Sequence, residues 1–151
     1  MRTALLTLLL LTACKHHEHD PAAMAQLAKS CHAGDLGCPR TILYVSDLGA
    51  SQRYYQDRLG FAIDWAYGDP PDFGAVHRGD TQLFMCQQCQ GHPGSWLWIF
   101  TPDVDKLYEE LKGRGALIKE PPQDRPWGVR EMQVADPDGN TLRLASPLDD
   151  D

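Results

Sequence analysis

The chain has 151 residues, enough for one domain with extensions, and carries 21 Asp and Glu against 14 Lys and Arg, a formal net charge of -7. Without a surplus of basic side chains to neutralise phosphates, nucleic-acid binding is excluded as a leading function, whereas a cationic ligand is favoured. The acidity lies from Pro39 onward, where 11 basic residues face 18 acidic ones.

Residues 1–13 read as a cleaved leader, with a positive start at Arg2 and an apolar run over residues 4–11 that is too short to span a bilayer. Leu11-Thr12-Ala13-Cys14 matches the lipobox of bacterial lipoproteins, in which the cysteine is acylated and becomes the new N-terminus. Two or three acyl chains give lasting membrane attachment, which a single chain does not. An ordinary leader with a chance cysteine is the plainer alternative. In a Gram-negative host, Lys15 replaces the aspartate that retains lipoproteins at the inner membrane, so the expected place is the outer membrane, facing the periplasm.

Residues 14–38 read as a tether. His16, His17 and His19 are able to chelate zinc, copper or nickel, but a solvated spacer is the simpler reading because such a segment lacks preorganised support for a metal. With Cys14 acylated, Cys31, Cys38, Cys86 and Cys89 remain, and four cysteines allow three pairings that the sequence does not separate. Cys86-Gln87-Gln88-Cys89 follows a strand, not a strand-to-helix turn, so a structural disulfide is preferred over a redox pair or a zinc knuckle.

From Thr41 the hydrophobic pattern predicts a strand over residues 41–46 and a helix over 47–59, capped by Asp47 and stopped by Gly60. Strands follow near residues 62–67, 73–77 and 81–86. A strand over 96–100 precedes a helix capped by Asp103, whose Val104, Leu107, Tyr108 and Leu111 share one face. Strands near 116–119, 129–135 and 141–145 complete the domain, placed at residues 39–147, and residues 148–151 form an acidic tail. Val45-Ser46-Asp47-Leu48 echoes Thr101-Pro102-Asp103-Val104, and Gly79-Asp80-Thr81 echoes Gly139-Asn140-Thr141. The shared order argues for a duplicated βαβββ unit, an α+β fold whose two modules form a curved mixed sheet with a cleft.

Asp136-Pro137-Asp138-Gly139-Asn140 before a strand, with Pro126-Trp127-Gly128 upstream, resembles the closing segment of the vicinal oxygen chelate superfamily of glyoxalases, dioxygenases and bleomycin-binding proteins. In its metalloenzymes the resemblance implies ligands at positions matching Arg40 or Thr41, the stretch 82–85, Trp96 and Arg143. Only Gln82 among these is able to coordinate, and one glutamine does not make a catalytic site. His77 and His92 read as a strand histidine and a loop histidine, and Glu131 and Asp136 lack an evident acid or base partner. No metal, cofactor or catalytic residue is therefore expected.

Tyr54-Tyr55-Gln56-Asp57-Arg58-Leu59-Gly60-Phe61, Trp96-Leu97-Trp98 and Asp105-Lys106-Leu107-Tyr108 are most similar to the bleomycin resistance proteins within that superfamily. These are homodimers that sequester a cationic, partly planar drug. The resemblance implies a groove lined by Asp64, Trp65, Phe73, Trp98, Trp127 and Gly128. The residues themselves add Trp96, which shares a strand face with Trp98, and Glu131. The family's strand-opening proline would fall on Thr41, where this chain has its proline at position 39. The expectation is a lipid-anchored, non-catalytic protein that binds a cationic aromatic compound. The alternatives are a glyoxalase- or dioxygenase-like enzyme with unusual ligands and a metal-handling lipoprotein using the histidine cluster.

Overall fold

The computed structural model describes residues 39–148. The leader, Cys14, the tether with His16, His17, His19, Cys31 and Cys38, and residues 149–151 of the acidic tail lie outside the described residues.

The chain forms β1 (Thr41–Val45), α1 (Leu48–Leu59), β2 (Ala62–Gly68), β3 (Pro71–Arg78) and β4 (Thr81–Gln87). It then repeats the series as β5 (Trp96–Phe100), α2 (Val104–Gly113), β6 (Leu117–Arg125), β7 (Val129–Ala135) and β8 (Thr141–Pro147). Each half makes its own four-stranded mixed sheet, ordered β1-β4-β3-β2 and β5-β8-β7-β6. The first and last strands of each half pair in parallel, and the others are antiparallel. This is the duplicated βαβββ architecture that the repeat predicts.

Both helices start where a short acidic side chain satisfies a free N–H. Asp47 accepts from the Ala50 amide at 2.7 Å, and Asp103 accepts from the Lys106 amide at 2.9 Å. α1 stops at Gly60, whose φ of 71° closes a left-handed cap that a side chain would strain. The predicted bounds were shortest at β6, placed at residues 116–119 but running to Arg125. Pro121 and Pro122 obscured it, and the structure accommodates them on an edge strand between register shifts.

Alternation along the strands sends Leu43, Val45, Val76, Leu83 and Met85 under α1, and Leu97, Met132, Val134, Leu142 and Leu144 under α2. All ten belong to one buried cluster with Tyr55, Leu59 and Leu111, so the helix-bearing faces share a single core. Polar contacts tie the halves on that side. The Tyr54 hydroxyl donates to Ala135 O and accepts from the Leu117 amide, both at 2.9 Å. Arg58 donates to Arg114 O at 2.7 Å, and Arg78 pairs with Glu110 at 2.8 Å. The opposite face of each sheet is turned away from this core.

The loop between β7 and β8 is a second joint. Asp136, 2% exposed, accepts from the Tyr55 hydroxyl, both Asn140 nitrogens and the Asp138 amide. Asp138 accepts from the Ser46 amide at 3.0 Å and the Ser51 hydroxyl at 3.2 Å, and Asn140 donates to Tyr44 O at 3.2 Å. Burial raises the Asp136 pKa even though these donors favour its ionised form. Cys86 at the end of β4 is bonded to Cys89, which selects the nearest-neighbour pairing for these two cysteines.

Candidate functional site

The open face of the first sheet carries an aromatic triangle. Trp65 lies 5.6 Å from Phe73 and 5.3 Å from Phe84, and Phe73 lies 5.8 Å from Phe84, measured between ring centroids. The register explains the grouping, since β3 runs between β2 and β4, with Phe73 opposite Tyr67 and Cys86 and Ala75 opposite Trp65 and Phe84. Small Ala75 leaves the flanking rings room to meet. Asp64 lies on the same face with both carboxylate oxygens engaged, one by His77 and the other by the Gln82 amide at 2.8 Å. Gln82 in turn accepts from Arg40 Nε at 2.6 Å. His77 is thus held by a carboxylate, the structural role expected of a lone strand histidine.

The open face of the second sheet is more exposed. Along β5, Leu97 enters the core while Trp96, Trp98 and Phe100 point the other way and are 60%, 51% and 60% exposed. Trp98 and Phe100 lie 4.8 Å apart. Trp127, 56% exposed, stands on the turn between β6 and β7, where Gly128 takes a φ of 82°. A Cβ at Gly128 would meet nothing within 4 Å, so glycine is needed there for its backbone angle and not for space. Two cations cover part of the aromatic surface: Lys119 Nζ lies 5.0 Å from the Trp96 ring and Arg143 Cζ 5.8 Å from the Trp127 ring. Trp98 and Phe100 keep their outer faces free of such partners in the described contacts.

Beneath these rings Glu131 is 1% exposed and fully engaged by Arg143, whose Nε and Nη2 donate at 2.9 and 2.7 Å. That bonding raises the Arg143 pKa, fixing its charge. Arg125 approaches Glu131 at 3.8 Å and also pairs with Glu120, which accepts from Gln133 at 3.0 Å. Glu131 therefore acts on the face through Arg143, with almost no surface of its own to offer a ligand. Asp136, the other carboxylate without an evident sequence partner, belongs to the inter-module loop and not to this face.

The superfamily's metal positions do not fit a metal here. A guanidinium at position 143 repels a cation, Trp96 offers a ring, and the Gln82 side-chain oxygen is held by Arg40. Among the described residues, no group of three His, Cys, Asp or Glu side chains converges to hold an ion.

The candidate residues thus fall into two clusters, with Asp64, Trp65 and Phe73 on the first sheet and Trp96, Trp98, Trp127, Gly128 and Glu131 on the second. Sequence reasoning missed Phe84 and Phe100. Phe100 was accessible from the two-residue alternation that joins Trp96 and Trp98, whereas Phe84 required the strand register.

The family model of the Glyoxalase/Bleomycin resistance protein/Dioxygenase superfamily matches residues 37–144. The chain is 26% identical over 122 residues to the uncharacterized protein YraH of Bacillus subtilis (strain 168), covering 70% of this chain and 94% of that protein. Among solved structures it is similar to TnmS3, an antibiotic binding protein from Streptomyces sp. CB03234, with TM-score 0.65, 26% identity, and coverage of 78% of this chain and 100% of that one. TioX from Micromonospora sp. ML1, at 20% identity, TM-score 0.64 and coverage of 72% and 97%, shares the fold.

Proposed function

We propose that this chain, which belongs to the Glyoxalase/Bleomycin resistance protein/Dioxygenase superfamily, is a non-catalytic binding protein that sequesters a small planar aromatic compound carrying positive charge. The observation that carries this reading is the exposed row of Trp96, Trp98 and Phe100 with Trp127 beside it. Large rings held out of the core, with cations over only Trp96 and Trp127, form an exposed apolar surface of the kind that marks a binding site. The rings of Trp98 and Phe100 offer stacking area for a flat ligand, and the net charge of -7 draws a cation toward the molecule. The likeness to an antibiotic binding protein supports the same class.

A second copy is proposed to complete the groove. Each open face is turned away from the core, and the candidate residues divide between the two sheets, so a two-fold partner would oppose one chain's aromatic triangle to the other's tryptophan row. The whole is proposed to be held at a membrane through an acylated Cys14, where it meets the compound before entry. Metabolic labelling with radioactive palmitate should mark the protein and vanish in Cys14→Ser. Retained label would overturn the anchor and leave the binding reading standing.

Bleomycin is the probe for the ligand class. Titration should quench tryptophan fluorescence at micromolar concentration, and Trp98→Ala should weaken binding about tenfold, the effect of losing one desolvated stacking or cation–π partner. Absence of quenching removes this drug, and unchanged affinity in Trp98→Ala removes the tryptophan row as the site.

A further inference from the structure

A cavity of about 530 Å³ opens on the helix side of the molecule and reaches Phe100 at the end of the aromatic row. Its walls include Leu59, Phe61, Ile99, Leu107, Leu111 and Leu142, and Gly79, Asp80 and Thr81 also line it. The internal duplication explains why it exists. With Asp47 set on Asp103, Ser46 falls on Pro102, Ser51 on Leu107 and Tyr55 on Leu111. In the first helix those residues bind the five-residue loop 136–140 through the Ser46 amide, the Ser51 hydroxyl and the Tyr55 hydroxyl. The second helix has no such groups, since Pro102 lacks an amide hydrogen and both hydroxyls are replaced by leucine side chains.

The counterpart loop has shrunk in step. β3 and β4 are joined only by Gly79 and Asp80, between the paired Arg78 and Thr81, whereas β7 and β8 are joined by residues 136–140, between the paired Ala135 and Thr141. One inter-module joint is therefore plugged by the chain's own polar loop. The other is left open, and a Cβ on Gly79 would meet nothing within 4 Å. The charge nearest the leucines is already spent, because Arg78 donates to Leu59 O at 2.6 Å and pairs with Glu110.

We infer that this joint is a second small-molecule site, meeting the aromatic row only at Phe100, that accepts an uncharged apolar ligand. Its volume lies within the range of small-molecule pockets. The occupant's size follows from the plugged joint, where one short loop fills the equivalent space. Its polarity follows from the exchange of two hydroxyls for leucines, which removes the donors that hold the polar loop at the plugged joint and rewards burial of hydrocarbon.

The full-length protein titrated with 1-N-phenylnaphthylamine, a neutral fluorophore that brightens in apolar surroundings, tests this. Saturable enhancement is expected and should be insensitive to salt. Leu107→Gln, at a partly buried position, should weaken the probe about tenfold while leaving bleomycin quenching unchanged, since it places an unpaired amide in the apolar wall. Retained bleomycin quenching shows that Leu107→Gln is folded. Absence of saturation, or undiminished binding in Leu107→Gln, overturns the site. Loss of the probe in Trp98→Ala would place it on the aromatic face and overturn the site equally.

Discussion

Arg143→Ala is expected to destabilise the domain by about 3 kcal/mol, read as a shift in the urea midpoint at unchanged slope. The cause is what it leaves behind. Glu131 is 1% exposed and receives two hydrogen bonds from Arg143, so truncation strands a carboxylate that has lost its main partner. The value sits at the low end for breaking a buried pair, because Arg125 remains 3.8 Å away and the Arg143 side chain is itself 32% exposed. The paired replacement Glu131→Leu with Arg143→Met should be nearly neutral, since it removes both charges together. A large loss in the double variant would show that the pair supports the fold through more than mutual neutralisation. The same variants report on the site, because Arg143 also lies over the Trp127 ring.

Asp136→Ala is expected to cost about 3 kcal/mol as well, for a different reason. It removes the acceptor of the Tyr55 hydroxyl, both Asn140 nitrogens and the Asp138 amide, while Tyr55 and Asn140 are wholly buried and find no water in exchange. The pH dependence has a definite sign. Burial raises the folded-state pKa of Asp136, so its ionisation-linked stabilisation is complete below the ordinary value of 3.8 and is lost as pH rises through the folded value. The stability difference between the natural chain and Asp136→Ala should therefore be larger at acid pH than at neutrality. A difference that grows with pH would mean that the donors outweigh burial.

Those two carboxylates mark the boundary of what the chain discloses before it folds. Both stood out in the sequence as acids without partners. Asn140 and the Asp138 amide are local to Asp136, but Arg143 reaches Glu131 by strand register and Tyr55 reaches Asp136 by the docking of one half on the other, and no local spacing reveals those two pairs. Gln82 illustrates the same limit. As a residue type it was the one possible metal donor, and only the fold shows its oxygen taken by Arg40 and its amide given to Asp64.

The architecture was far more legible. Asp47 and Asp103 cap helices, Gly60 ends one, and the alternation in β5 separates Leu97 from its tryptophan neighbours, because capping, turn chemistry and strand parity are local physics. The repeated order of these signals determined the duplicated fold, and Arg143 with Trp96 determined that the superfamily's metal set is not matched. Tertiary structure alone decided that the candidate residues divide between two outward faces, that Cys86 bonds Cys89, and that one inter-module joint is plugged while the other is open. These outcomes depend on which distant surfaces meet. The local sequence specifies how each segment folds, and the shared core between the helices sets where the segments finally lie.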